Sequence, residues 1–321
     1  MPITGVYFIP SHANASTALA TVIERLRATF PDEDLIPIGR WALEQKLMRD
    51  TQGLLPQSTA PGQRPSKPRY MQFLSLTHHP THGFIYTSEP TAAPNPTSMT
   101  PPAASTPTSQ TPASDEPPML MTTLPPASLA SLFQHFTYAC QPFWCHRLTV
   151  AVPSGAVYEV GDFRVRAGDV RQTFPTARVR GTVVEIEWRG PSVVDALAAA
   201  EGGAAREHDA DAGVDAAFAS LEAADVDAEY AATAALIREF WGRVGVDGAR
   251  EAILVPGVGT EVKERLQRYR SGKGRPGSGE APWDEGGLGV GLGSVAVEED
   301  PDPQAGTDLA RQYMEVLRFN R

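Results

Sequence analysis

Apolar positions recur at helical spacing in four stretches of the chain and alternate with polar ones in several others. Ile3 to Ile9 reads as a short apolar strand, and Leu19, Val22, Ile23, Leu26 and Phe30 then form the buried stripe of a helix. Trp41, Leu43 and Leu47 share one parity and Arg40 and Glu44 the other, with Lys46, which predicts a strand with one dry face. Tyr70 to Leu76 and Gly83 to Thr87 read the same way. Leu129, Leu132, Phe133 and Phe136 mark a short helix bounded by Pro125, Pro126 and Pro142, expected to pack on the sheet.

Residues 143–190 carry the densest strand signal. The pattern predicts a run to Val152, a turn at Pro153, Ser154 and Gly155, and strands at Val157 to Val160, Asp162 to Phe174 and Arg178 to Arg189. With Pro175 and Thr176 in the last turn, Arg164 faces Glu187 and Arg166 faces Glu185, which sets opposite charges across the ladder. Val184, Ile186 and Trp188 are expected on the core face, leaving Glu185 and Glu187 on an exposed one. A third helix near Asp227 to Val244 gathers Tyr230, Ile237, Trp241 and Val244, and a last one gathers Leu309, Tyr313, Val316 and Leu317. This order predicts an α+β fold, an antiparallel, barrel-like β-sheet flanked by helices.

Composition changes the picture by adding linkers. The 321 residues include 29 prolines and 28 glycines, too many for one compact domain of that length. From Glu89 to Pro118, 19 of 30 residues are Pro, Ser or Thr, a composition that cannot offset its ordering entropy by apolar burial. Gln52 to Pro68 and the glycine-rich Ser271 to Thr307 read likewise, so the expectation is a single domain over 1–321 with disordered insertions at about 52–68, 89–118 and 271–307.

Charge narrows the function. The formal net charge is -10, and nine acidic residues between Glu201 and Glu229 face one arginine, Arg206. A phosphate backbone would be repelled, so direct nucleic-acid binding is not expected. The acidic stretch itself reads as a solvated loop and helix face. No apolar run approaches the roughly 20 residues that span a bilayer, so no membrane association is expected. Two cysteines, Cys140 and Cys145, are too few for a disulfide framework and predict a reducing compartment.

Few constellations could carry chemistry. His78, His79 and His82 crowd a turn without a neighbouring carboxylate or cysteine ligand, and Cys140, Cys145 and His146 lack a second ligand pair for zinc. The glycine run at Gly286 to Gly293 follows no strand and opens no helix, so it reads as linker rather than as a nucleotide-binding loop. Glu185-Ile186-Glu187-Trp188-Arg189 is sharper. It resembles the Glu-x-Glu-x-Lys strand of triphosphate tunnel metalloenzymes, where paired carboxylates hold a divalent metal, with Arg164, Arg166, Arg178 and Arg180 on neighbouring strands. A metal-dependent phosphohydrolase using Glu185 and Glu187 is therefore the alternative reading, although the strand has Arg for Lys and lacks further acidic strands.

The succession of several segments carries a different resemblance. The opening TGVYFIP, the central Phe163-Arg164-Val165-Arg166-Ala167-Gly168, Arg180-Gly181, Val184 to Pro191 and the closing Gln312 to Arg318 resemble the Mediator subunit 20 family. YMQFLSL and HGFIYTSE are similar to its fungal members. The resemblance implies a non-catalytic, nuclear adaptor of the Mediator head module, needing no cofactor and no metal. It implies pairing with Mediator subunit 18, tethering by a helix of Mediator subunit 8, and contacts that serve RNA polymerase II and the initiation machinery. Phe143, Trp144 and Phe319, apolar residues near element ends, are the candidate partner-interface positions.

Overall fold

The computed structural model describes residues 3–11, 16–33, 35–51, 69–88, 119–194, 221–270 and 306–318. The expected insertions 52–68 and 89–118, nearly all of 271–307, much of the acidic stretch and Phe319 lie outside them. Nine strands are described: β1 (Thr4–Pro10), β2 (Gly39–Asp50), β3 (Tyr70–Leu76), β4 (Gly83–Ser88), β5 (Met119–Leu124), β6 (Trp144–Val160), β7 (Phe163–Phe174), β8 (Arg178–Trp188) and β9 (Arg250–Ala252). Five labelled helices accompany them: α1 (Leu19–Thr29), α2 (Pro126–Tyr138), α3 (Ala223–Val244), α4 (Thr260–Arg270) and α5 (Thr307–Val316).

The strands form one sheet in the order β5-β4-β3-β2-β6-β7-β8-β1-β9, which does not close on itself. The α+β class, an antiparallel sheet flanked by helices, is the one that the hydrophobic pattern predicts. Tertiary contacts divide the chain into two compact units, the first comprising 1–42, 152–171 and 178–321 and the second 43–151 and 172–177.

In the first unit, β1 lies between β8 and β9, paired antiparallel with each, Tyr7 opposite Val184 and opposite Glu251. Odd positions of β1 and β7 and even positions of β8 (Tyr7, Ile9, Val165, Ala167, Val184, Ile186) pack on α1 and α3 through Val22, Leu26, Ile237, Phe240 and Trp241. Burying such side chains contributes about 1.5–3 kcal/mol each, which is what fixes this register. Tyr7 stacks on Trp241 with centroids 4.5 Å apart. Helix α3 starts with a reciprocal capping box between Glu222 and Asp225 and ends at Gly245, whose positive φ of 66° suits a residue without Cβ.

In the second unit, β3 pairs with β2 and β4, and β4 with β5. Helix α2 lays Leu129, Leu132, Phe133 and Phe136 over Met48, Met71, Phe73 and Ile85, the packing that its spacing predicts.

One expectation is corrected. Pro153, Ser154 and Gly155 do not form a turn; β6 runs unbroken for 17 residues. Exposed Pro153 and Ser154 interrupt its alternation, and the irregularity accommodates a proline that has no N–H to donate. Gly155 is required there for closeness rather than for turning, because a Cβ would overlap the Trp41 indole. Three elements, β5, β9 and α4, have no counterpart in the sequence reading.

Candidate functional site

The face of the first unit opposite α1 and α3 carries charge. The alternation of β8 predicts an exposed face, and the structure corrects this: the face is buried. Glu185 is 0% exposed, Glu187 5% and Arg166 7%. Helix α5 covers the face, and every residue from Gly306 to Leu317 is buried except Arg311 and Glu315, which are half-buried. Alternating charge along a strand reads as solvated because sequence cannot show a helix arriving from 120 residues away with its own polar groups.

Arg166 lies at the centre. Its Nη1 donates to Glu185 Oε1 and lies 2.6 Å from Glu187 Oε2. Glu187 is also approached by Arg189 at 3.7 Å and Arg164 at 4.0 Å. The Tyr313 hydroxyl of α5 donates to Glu185 Oε2 at 2.6 Å. The cross-strand pairing of Arg164 and Arg166 with Glu187 and Glu185 is therefore present, but inside the unit. Burial disfavours the Arg166 cation, yet Glu185 and Glu187 outweigh it, so the guanidinium holds its proton more tightly than in water. Burial, then the facing Glu185, push the Tyr313 hydroxyl well above its usual value.

The ring of Tyr313 meets Trp41 at 6.1 Å between centroids. Gly155 and Gly168 leave the room: Cβ atoms there would run into Trp41 and Val152. One residue back along α5, Gln312 accepts from the Thr4 hydroxyl at 2.7 Å and donates to the carbonyls of Thr4 and Ile253 at 2.7 and 2.8 Å. In the first turn, Asp308 accepts from the Tyr230 hydroxyl at 2.7 Å and from the Gly259 N–H, just before α4, at 3.1 Å. Burial pushes Asp308 above the usual carboxylate range, against the pull of these donors and of Arg311. Arg311 joins Asp308 at 3.1 Å and forms an ion pair with Glu261 of α4.

This arrangement binds the chain to itself. Glu185 and Glu187 are neutralised by arginine and enclosed, so they do not present the open paired carboxylates that a metal-triphosphate site requires. Among the described residues no group of three or more His, Cys, Asp or Glu side chains could hold a metal ion. His78, His79 and His82 lie in and beside the β3–β4 turn, and Cys140 and Cys145 are free, half-buried thiols. Among the described residues no helix is long and apolar enough to cross a membrane.

The candidate interface residues separate. Phe143 is 54% exposed. Trp144 is half-buried against Phe136 at 5.8 Å, with the Arg69 guanidinium 5.7 Å from its ring. Phe319 lies outside the described residues.

A family model described as the TATA-binding related factor (TRF) of subunit 20 of Mediator complex matches residues 1–318. The chain belongs to the Mediator subunit 20 family. The match takes in both compact units, and the α5 residues Asp308, Gln312 and Tyr313 fall within it. Membership makes the chain a subunit of Mediator, the nuclear complex that regulates RNA polymerase II transcription, with other Mediator subunits as partners. Comparison with curated proteins gives no match. The polar cluster eluded prediction as a unit because its members come from β1, β7, β8, α3, α4 and α5. The one sequence signal was the closing Gln312 to Arg318 segment, whose polar residues share a helix with Leu309, Tyr313 and Val316.

Proposed function

We propose that this chain is a non-catalytic adaptor of the Mediator head module, acting in the nucleus. It pairs with Mediator subunit 18, is tethered by a helix of Mediator subunit 8, and through these contacts helps to position RNA polymerase II and initiation factors. Family membership is the observation that carries the reading. The internal use of Glu185, Glu187 and Arg166 supports it, because the residues that most resemble a reaction centre hold α5 to the sheet instead. Phe143, with Trp144 beside it and Phe319 at the end of the chain, is the position we assign to the partner interface, since an exposed aromatic is a typical binding anchor.

The test is co-expression of the full chain with Mediator subunits 18 and 8, followed by affinity purification and mass spectrometry. Stoichiometric recovery of both partners, reduced by Phe143→Asp, is the expected result. A monodisperse chain that recovers neither partner at micromolar concentration would overturn the reading.

A further inference from the structure

The second unit carries a long uncharged stretch that reaches its surface. From Met119 to His146 the sequence holds no Asp, Glu, Lys or Arg. That stretch comprises β5, the whole of α2 and the start of β6. Helix α2 buries Leu129 and half-buries Leu132, Phe133 and Phe136, yet its solvent side, with Ser128, Ser131, Gln134, His135 and Tyr138, is also uncharged. A surface helix of a soluble domain ordinarily carries charge on its outer side, and α3 of the same chain does, with Asp227, Glu239 and Arg243. Tyr138 at 76% and Leu120 at 57% are among the most exposed large apolar side chains described.

Among the described residues, strand β5 ends the sheet order, paired with β4 on one side. In an antiparallel pair, alternate residues direct their N–H and C=O groups outward, so about half of its six residues offer backbone groups to a further strand. Edges left for solvent are usually protected by lysine, proline or a bulge. The sequence MLMTTL has no charge and no proline.

We infer that the outer edge of β5, with the adjoining outer face of α2, receives an extended, uncharged strand from another Mediator subunit. This rests on the Mediator-adaptor reading above. The backbone groups specify the form of the occupant, because only another extended segment satisfies a row of alternating donors and acceptors. The missing charges specify its chemistry. A charged segment laid on the β5 edge would lose hydration without gaining a counter-charge from MLMTTL, whereas apolar side chains at every second position gain Leu120 as cover.

Hydrogen exchange on the full chain, free and within purified Mediator, reads the proposal directly. Backbone amides of 119–124 should slow by about tenfold or more on assembly, as expected when strand pairing protects them. Leu120→Lys, which restores edge protection at an exposed position, should lower retention in Mediator by about tenfold without changing the melting temperature of the free chain. If that variant does lower it, Tyr138→Glu on the outer face of α2 takes its place. A chain retained in Mediator with 119–124 exchanging as in the free state would overturn the inference and leave the adaptor reading standing. A chain not retained at all would remove both. Protection in the free chain that grows with concentration would assign the edge to a second copy, and protection independent of concentration would assign it to this chain itself. Either result overturns the inference.

Discussion

Replacing Arg166 by Met removes the cation that two buried carboxylates share while keeping an unbranched side chain of similar length. In the native arrangement Nη1 of Arg166 contacts both Glu185 and Glu187. After the substitution the two carboxylates fare differently. Glu187 keeps Arg189 at 3.7 Å and Arg164 at 4.0 Å, side chains open enough to solvent that each is a weak substitute. Glu185 is fully buried and keeps the Tyr313 hydroxyl, a neutral donor in place of a guanidinium. Removing one partner of a buried ion pair typically costs about 3–5 kcal/mol, and the unequal rescue assigns most of that to Glu185. For a domain of this size the loss corresponds to a fall in Tm of roughly 10 °C.

Urea denaturation of the full chain, followed by tryptophan fluorescence, measures the loss. Two further variants separate electrostatics from packing. Adding Glu185→Leu and Tyr313→Phe to Arg166→Met replaces the cluster by apolar groups and should recover at least half of the deficit, because an apolar set escapes the desolvation cost. Acidification should also narrow the gap between Arg166→Met and the parent, since the stranded Glu185 carboxylate can take up a proton. A loss below about 1 kcal/mol, in the range of an exposed pair, would refute the assignment of the cluster to the interior. So would a triple variant less stable than Arg166→Met alone.

Gln312→Leu should cost about 2–4 kcal/mol in the same urea titration, because the Thr4 hydroxyl and the carbonyls of Thr4 and Ile253 are left in the interior without this amide. Gly181→Ala should cost about 1–3 kcal/mol, since a Cβ there overlaps the Ile9 carbonyl oxygen where β1 and β8 pair, and backbone cannot move aside as a side chain would. His146 stacks on Phe174 at 4.1 Å and burial holds its imidazole below the ordinary 6.5, with Lys46 adding and Glu44 and the Leu148 carbonyl opposing. The folded state thus binds fewer protons than the unfolded one, so stability is held above 6.5 and lost as pH falls below it. His146→Gln should flatten that slope in a pH series of melting curves.

The elements that sequence made legible are those with a long, sharply bounded apolar pattern. Strand β3 carries the bounds predicted for it, its apolar run buried on both faces, and α2 shows its predicted stripe, one face on the core and the other toward solvent. Elements at the edges escaped for the opposite reason. Strand β9 has three residues, too few for a period to register, and α4 is so polar that Val262 and Leu266 alone mark its inner side. Strand β5 was hidden by composition, since its short apolar run sits between the Pro/Ser/Thr-rich stretch and Pro125. On β8 the pattern gave the correct alternation but the wrong meaning. Val184 and Ile186 do face α1 and α3, and Glu185 and Glu187 do face away from them, Glu185 onto Tyr313 of α5 and both onto Arg166 rather than into water. Trp188, expected at the core, is half-buried against Phe163. Substituting Glu185 is therefore not expected to be mild beside Trp188→Asp.

What the polar groups of α5 achieve is position. An apolar helix against an apolar face gains nearly as much one turn out of register as in it, because hydrophobic burial has no direction. Asp308 must meet Tyr230 and Gly259, Gln312 must meet Thr4 and Ile253, and Tyr313 must meet Glu185. These contacts are four and five residues apart along one helix, and a slide of one turn breaks every one of them at the cost of several buried, unsatisfied groups. The charges on β7 and β8 therefore yield little net stability relative to well-packed apolar residues, while they exclude the alternative placements of α5. The end of the chain is tied in this way to β1 near its beginning. Charges that would make an open face reactive serve here, under α5, to fix the placement of a helix.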